Sequence, residues 1–238
     1  MTKRFGSTTK YLPKGLSIIY EDRDILVVDK PAGLLTVATE TDKLRTAHFA
    51  LTDYVRKGSA KSRKALFVVH RLDKQTSGVL IFAKTETAKL NLQGQWKQTE
   101  KEYLAVVHGR LSERSGTLTS YLTENKASQV VYATTDTAKG KLSHTAYKVL
   151  RETRRFSLLE VRPLTGRKNQ IRVHLADIGH PVVGDRKYGK GGERFERMAL
   201  HARSIAFNHP FSGKRLRFET DVPEYFDKLV GQTGPENV

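Results

Sequence analysis

Residues 66–85, LFVVHRLDKQTSGVLIFAKT, contain the strands and the loop that decide the fold. The two apolar runs, 66–69 and 79–83, are short and rich in β-branched or aromatic residues, which predicts strands buried on both faces. The loop between them places Asp73 among basic residues. Because both ends of this loop join buried strands, the scaffold can hold one side chain in position near solvent. The alternative is an ordinary polar turn in which Asp73 pairs with a neighbouring cation.

The composition predicts a globular protein without a metal site. The chain has 238 residues, of which 38% are hydrophobic, and no apolar run approaches the roughly 20 residues of a membrane span. It has no cysteine, which excludes disulfides, thiolate metal sites and cysteine nucleophiles and is typical of a reducing cytoplasm. The eight histidines are scattered and form no metal-binding pattern. The basic start of the chain is not followed by an apolar segment, so we expect no secretion.

The formal net charge of +17 predicts a polyanionic partner, because a protein with such an excess of one sign repels itself. Nucleic acid is the expected partner. An anionic membrane is the alternative, but no stretch combines helical apolar periodicity with a long polybasic face. The basic residues occur in several clusters rather than in one tail, which indicates a folded basic surface. The clusters contain Lys61, Arg63 and Lys64; Arg151, Arg154 and Arg155; Arg167, Lys168 and Arg172; and Arg186 and Lys187.

The pattern of hydrophobic residues predicts an α+β fold whose core is a mainly antiparallel or mixed β-sheet with flanking helices. Strands are expected in SIIYEDRDILVVDKP, which reads as a hairpin ending at Pro31, and in seven later segments that begin at EYLAVVHG and end at KRLRFETD. Helices are expected at 47–56, 86–97, 169–178 and 224–230. We expect residues 17–230 to form one catalytic domain, with a 1–16 extension and a 231–238 tail. Residues 112–141 are predicted to be an insertion or a secondary hairpin.

Five stretches in order resemble the RluA family of pseudouridine synthases. His70-Arg71-Leu72-Asp73 followed by Thr76-Ser77-Gly78 is similar to the family signature, and DKPAGLLTV at 29–37 is similar to its first motif. KEYLAVVHG at 101–109 resembles the strand that bears the active-site tyrosine. LTGRKNQIRVHL at 164–175 resembles the third motif, and GHPVVGDRKYG with ALHARSIAFNHPFSGK resembles the C-terminal region. Five ordered motifs over residues 17 to 220 make a chance similarity very improbable.

Two features depart from the family pattern. Asn169 stands where the third motif usually has a histidine, which puts any role of that ring in doubt. The first motif begins at Asp29, which leaves no room for the N-terminal S4 RNA-binding domain of many relatives. We therefore expect the catalytic domain itself to recruit the substrate.

The resemblance implies the isomerisation of uridine to pseudouridine in RNA. The bond from C1′ to N1 is broken, the base turns, and it is rejoined through C5, so no cofactor is needed. The resemblance makes Asp73 the nucleophile at C1′ or the base at C2′, and the sequence does not choose between them. It makes Arg167 the cation that keeps Asp73 ionised. Tyr103 is expected to stack on the uracil and to act on the C5 proton through its hydroxyl, although a tyrosine at the edge of a core is the ordinary alternative.

Six further residues are expected to bind the substrate. Ile171 would line the base, a role close to that of an ordinary core residue. Arg167, Lys168 and Arg172 would begin a helix after Gly166 and bind phosphate with its first amides, unless they form a solvated basic face. Arg71 is expected to brace the stack when the target base is extruded. The other two are His70, which either contacts RNA or orients the loop, and Lys30, which is available to a phosphate or to a structural carboxylate.

Two other classes of protein share some of these features. A catalytically silent RNA-binding protein on the same fold would keep the charge but would be expected to lose Asp73, Tyr103 or Arg167. A nuclease or glycosidase would require a second carboxylate or metal ligands near Asp73, and HRLDKQTSG offers neither. We therefore predict a cytoplasmic, monomeric RNA pseudouridine synthase without an obligate protein partner. Its predicted substrate is a stem-loop of 23S rRNA, tRNA or both.

Overall fold

The computed structural model describes residues 12–189, 191 and 194–231. Most of the predicted 1–16 extension and of the 231–238 tail therefore lies outside the described residues. The described part of the chain contains β1 (Ser17–Glu21), β2 (Ile25–Lys30), α1 (Ala47–Arg56), β3 (Phe67–Val68), β4 (Ser77–Ala83), α2 (Glu86–Gly94), β5 (Glu100–His108), β6 (Ser115–Asn125), β7 (Val130–Thr134), β8 (Lys141–Glu152), β9 (Phe156–Pro163), α3 (Gln170–Asp177), β10 (Leu200–Asn208), β11 (Arg215–Glu219) and α4 (Glu224–Val230).

The described chain divides into two compact units. The first unit contains residues 12–100 and 202–220, and the second contains the described residues of 101–201 and 221–231. Antiparallel strand pairs in both units, together with four flanking helices, confirm the predicted α+β class. The extent of the catalytic domain, 17–230, stays a prediction.

The first unit is built on the strand order β1-β2-β4-β10, with β3 also paired to β4 and β11 to β10. All seven residues of β4 are buried, as predicted for residues 79–83. The prediction of a second fully buried strand at 66–69 is wrong, because β3 contains only two half-buried residues. Strands β2 and β4 are antiparallel and pair Lys30 with Gly78, so the segments that follow β2 and precede β4 start side by side.

The second unit has the strand order β5-β9-β8-β6-β7. Alternate residues of β5 pack on α3 in one apolar cluster, which includes Ala105, Val107, Ile171 and Leu175. Residues 112–141 were predicted to be an insertion or a secondary hairpin, and β6 and β7 form an antiparallel hairpin there. It is thus part of the sheet.

The helices begin and end close to their predicted limits, with differences in α2 and at both ends of α3, which ends at Asp177 instead of Ile178. Helix α2 ends at Gly94 instead of Lys97, and Gln95 is its C-cap. Helix α3 begins at Gln170 because Asn169 has a left-handed backbone, with φ of +54°. None of the helices in the described residues is long and apolar enough to cross a membrane.

Candidate active site

The loop at residues 70–76 leads from β3 into β4 and carries Asp73 at its centre. Asp73 is half-buried, while Arg71 and Lys74 on either side of it are exposed. Leu72 points inward and is only 6% exposed. One apolar side chain thus anchors the loop while the charged ones stay near solvent.

Thr36 fixes the backbone beside Asp73. Its buried hydroxyl donates to the carbonyl of Leu72 at 2.8 Å and accepts from the amide of Leu72 at 3.2 Å. Both polar groups of Leu72 are therefore satisfied by one side chain of the segment that follows β2. Because unpaired backbone groups are costly in a buried place, this arrangement favours one loop conformation.

Gly33 and Lys30 hold the backbone of Lys74, the residue that follows Asp73. The amide of Gly33 donates to the carbonyl of Lys74 at 2.8 Å. The ammonium of Lys30 donates to the carbonyls of Leu34, Pro31 and Lys74 at 2.8, 2.9 and 3.3 Å. Lys30 is 0% exposed, so in this conformation it braces the turn and cannot reach an RNA phosphate.

Gly78 ends the loop at a place where no side chain fits. Its φ is +110°, and a Cβ built on it would lie 2.2 Å from the carbonyl oxygen of Ala202. Only glycine avoids both the left-handed strain and this clash. The chain can therefore turn from the loop directly into the buried strand.

His70 is held on the inner side of the loop. Its Nε2 accepts a hydrogen bond from the amide of Ile81 at 3.1 Å, and its ring lies 4.6 Å from that of Trp96. A nitrogen that accepts this bond carries no proton, so the ring is neutral with its proton on Nδ1. These contacts favour the loop-orienting role of His70 over direct contact with RNA.

Tyr103 and Ile171 are associated with the same apolar cluster of the second unit. Ile171 belongs to the apolar cluster between β5 and α3, and the half-buried ring of Tyr103 packs against that cluster. Lys101 precedes Tyr103 by two residues and therefore lies on the same face of β5. Burial lowers the pKa of the Lys101 ammonium. The site residues of β5 thus lie at the boundary between an apolar core and solvent.

Gln170 fixes the turn that carries Arg167. Its side-chain oxygen accepts from the hydroxyl of Thr165 at 2.8 Å and from the amide of Arg167 at 3.0 Å. Its side-chain nitrogen donates to the carbonyl of His144 and to the hydroxyl of Thr145, both at 2.9 Å. The Arg167 side chain itself is exposed. The prediction that Arg167 and Lys168 begin the helix is wrong, because both precede Asn169, and the Arg167 amide is already bound by Gln170.

The other two cations of this motif contact carboxylates. Lys168 forms an ion pair with Glu124 of β6. Arg172 forms a bidentate pair with Asp185, at 2.6 Å from Nε and 2.8 Å from a terminal nitrogen, and its side chain is 11% exposed. Burial alone would raise the pKa of Asp185, but the hydrogen bonds and charge of Arg172 lower it below its usual value. In this structure Arg172 therefore organises the protein, although the sequence suggested a phosphate contact.

Asn169 occupies the position at which the sequence departs from the family motif. Its side-chain oxygen accepts a hydrogen bond from the hydroxyl of Tyr188 at 3.2 Å. Asparagine tolerates a left-handed backbone better than most residues do. Asn169 thus both ends the turn before α3 and contacts the segment that contains Asp185.

One group of potential metal ligands occurs in the first unit, where ligand atoms of Asp22, Asp24 and His209 lie within 4.8 Å of one another. Nε2 of His209 is 2.9 Å from an oxygen of Asp22, and its Nδ1 accepts from the amides of Phe211 and Ser212. Both ring nitrogens are therefore used in hydrogen bonds that join two turns. The geometry is that of a structural hydrogen-bond network.

Sequence reasoning missed three residues that organise the site, namely Thr36, Gln170 and Asp185. Thr36 and Gln170 lie within motifs and are 3% exposed, yet a neutral polar side chain in a motif gives no sign that it is buried. Asp185 is an isolated acid in the basic stretch GDRKYG. That contrast of charge was the available signal for a buried ion pair.

Comparison with known proteins supports one assignment. The model of the RNA pseudouridylate synthase family matches residues 24–177. An uncharacterized RNA pseudouridine synthase of Bacillus subtilis is 36% identical over 92% of this chain and 73% of its own length. Ribosomal large subunit pseudouridine synthase D of Pseudomonas aeruginosa is 36% identical over 89% of this chain and 69% of its own length. The solved structure of human RNA pseudouridylate synthase domain containing 1 is 28% identical, with a TM-score of 0.71, and the match covers 87% of this chain and 84% of that one.

Proposed function

The chain belongs to the RNA pseudouridylate synthase family and is of the RluA type, and from this premise we propose that Asp73, Tyr103 and Arg167 carry out its reaction. The protein is an isomerase that converts uridine in RNA to pseudouridine. The observation that carries the assignment of residues is the support of the loop at 70–76. Its only carboxylate, Asp73, is flanked by backbone groups that Thr36, Gly33 and Lys30 hold in place.

Asp73 begins the reaction at the sugar. Its carboxylate either attacks C1′ or removes the proton from C2′, and in both cases the bond from C1′ to N1 breaks and uracil is released within the site. Half-burial suits this role, because it excludes part of the water that would compete for the sugar. Arg167, whose side chain is exposed, supplies a positive charge to the reaction.

Tyr103 and Ile171 hold the detached base while it turns. The tyrosine ring packs against the cluster of Ile171 and is only half-buried, which suits a ring that stacks on a uracil. C5 then bonds to C1′, which either breaks the bond between Asp73 and C1′ or is accompanied by return of the proton to C2′, according to the route taken. The hydroxyl of Tyr103 assists the departure of the C5 proton, and N1 gains a proton. No atom is gained or lost overall, as an isomerisation requires.

The remaining residues divide into those that contact RNA and those that support the site. Arg71 and Lys168 are exposed and contact RNA, with Arg71 filling the space left by the extruded base. Lys168 must leave Glu124 to do so, and an exposed ion pair of this kind is worth at most about 1 kcal/mol. Lys30, His70 and Arg172 position the loop and the turn through their buried contacts.

The substrate is a folded ribosomal or transfer RNA, with 23S rRNA the first candidate because the relative from Pseudomonas aeruginosa is named for the large ribosomal subunit. We further propose that residues 17–230 act as one catalytic domain, that the protein is a monomer, and that it works in the cytoplasm. The absence of cysteine from the sequence supports the last point.

Mapping of pseudouridine in total RNA tests this function. RNA from a strain that lacks the protein should lose pseudouridine at one or a few positions, and expression of the wild-type chain should restore them. Expression of the Asp73→Asn variant at the same level should not. Restoration by this variant, or an unchanged pseudouridine map, would contradict the proposal.

A further inference from the structure

A groove in the first unit lies beside the loop that carries Asp73. It has a volume of about 720 Å³, and its lining includes Lys14, Pro31, Leu44, Arg45, Phe49 and Lys74. We call it the Phe49 groove. Binding sites for small organic ligands have volumes of about 300 to 1,000 Å³, so this one can hold a nucleotide. Lys74 directly follows Asp73 in the chain, which makes the groove continuous with the loop.

The groove presents an aromatic ring on a fixed backbone. Phe49 lies in the first turn of α1, and its amide donates to the N-cap hydroxyl of Thr46 at 3.0 Å. The side chain nevertheless remains 48% exposed, and the neighbouring Leu44 is 64% exposed. An aromatic ring that is open to solvent on a fixed helix backbone is suited to stacking against a base.

The basic side chains of the groove are available to bind an anion. Within the part of the chain that the structure describes, Lys14, Arg45 and Lys74 form no ion pair, and all three are exposed. The groove also contains Asp42 and Asp53. Asp42 accepts a hydrogen bond from the backbone of Arg45 at 3.1 Å, so this carboxylate is directed into its own loop.

The backbone of α1 offers no competing anion site. The amides of Ala47 and His48 donate to the carbonyls of Leu35 and Thr36 at 2.8 and 3.0 Å, and that of Phe49 is bound by Thr46. A phosphate in the groove must therefore be held by side chains. The same hydrogen bonds connect α1 to the segment that clamps Leu72, so the groove and the loop share one support.

We propose that the Phe49 groove binds the RNA strand next to the target uridine, with one base stacked on Phe49 and the adjoining phosphates on Arg45 and Lys74. This inference rests on the proposed function, since it assumes that a uridine reaches Asp73. The neighbouring nucleotides must then pass beside the loop, where the groove combines a ring with cations. Stacking of this kind tolerates any base, so the groove adds affinity more than sequence specificity.

The test compares the RNA binding of the wild-type chain and its variants, with stem-loop transcripts of 23S rRNA and of tRNA as the probes. Phe49→Ala should weaken binding on the order of tenfold at every salt concentration, with an unchanged slope of log affinity against log salt. Arg45→Gln should instead lower the magnitude of that slope by about 1. Phe49→Trp should bind at least as well as wild type, which separates stacking from a fault in folding.

Phe211→Ala and Lys214→Gln provide matched controls, because both residues are exposed in the turn between β10 and β11, outside the groove. Both variants should bind as wild type. The proposal would be overturned if Phe49→Ala and Arg45→Gln bound RNA with wild-type affinity. It would also be overturned if the control variants lost as much affinity as these two. If the wild-type protein modifies none of the transcripts, the proposed function fails, while the binding comparison still decides the groove.

Discussion

Asparagine has nearly the same size as aspartate but lacks one carboxylate oxygen and the negative charge. The Asp73→Asn variant therefore tests whether that oxygen takes part in the reaction. In Asp73→Asn the contacts of Thr36, Gly33 and Lys30 with the neighbouring backbone remain possible, and we expect the loop to fold as before. The variant lacks the oxygen that attacks C1′ or takes the proton from C2′. Turnover should therefore fall below detection, which tritium release from C5-labelled RNA measures.

Binding of the same RNA is the control for this prediction. Removal of one anion between Arg71 and Lys74 leaves the phosphate contacts intact and reduces local repulsion, so affinity should stay the same or rise. Residual activity above about one hundredth of wild type would remove Asp73 from the chemistry. Loss of binding with an unchanged fold would make it a recognition residue.

Tyr103 combines a ring and a hydroxyl whose roles can be separated. Tyr103→Phe keeps the surface that packs near Ile171 and stacks on the base, but it lacks the hydroxyl. We expect detachment of the base to survive and release of pseudouridine to slow by about 10²-fold or more. A fluorinated uridine substrate allows both steps to be followed. Equal loss of the two steps would place the hydroxyl earlier in the reaction.

At the scale of single elements, α3 shows how a short helix can support a turn that carries function. Its first residue, Gln170, uses its whole side chain to bind the Thr165–Arg167 turn and strand β8. One turn later, His174 is 2% exposed and its Nδ1 lies 2.9 Å from the hydroxyl of Thr145. Both residues bind the same threonine, so they fix the helix on the strand.

His174 should make the stability of the protein depend on pH below neutrality. Burial lowers the pKa of its imidazole from the usual 6.5. As the pH falls below 6.5, the unfolded chain binds a proton that the folded protein excludes, so the free energy of unfolding decreases until the folded pKa is reached. The slope contributed by this group is at most about 1.4 kcal/mol per pH unit. Urea denaturation between pH 7 and 5 measures it.

His174→Gln should make the free energy of unfolding less dependent on pH in this range, even if the variant is less stable at pH 7. The pKa values of Asp22 and Asp185 are lowered from 3.8, so their contribution to stability is lost only at lower pH. The two effects can thus be separated. The same pH dependence in the variant and the wild type would contradict the role assigned to His174.

At the scale of the whole molecule, the protein has 42 basic and 25 acidic residues, and this excess of positive charge favours RNA binding that depends on salt. Each phosphate that a cation neutralises releases counterions, so affinity should fall steeply with salt. We expect the affinity for a stem-loop RNA to show a log–log slope that corresponds to about 4 to 8 phosphates. Filter binding over a range of salt concentrations measures it. A slope near zero would contradict binding through the basic surface.

The sequence by itself determined the fold class and the family, and it singled out the candidate site residues. Alternating apolar residues predicted the strands, and motifs such as HRLDKQTSG carry rare combinations of residues in a fixed order. These are local properties of the chain. These local properties were therefore sufficient to predict that Asp73 lies on a loop next to a buried strand and that Tyr103 lies on a strand.

Only the tertiary structure decided what each of the other polar residues does. Lys30, Lys168 and Arg172 look alike in the sequence as cations within motifs, yet one is fully buried against carbonyls, one pairs with an exposed glutamate, and one forms a buried ion pair. Their partners are between 1 and 44 residues away in the chain. The role of a charge depends on its burial and on its partner, and both are set when distant segments pack together.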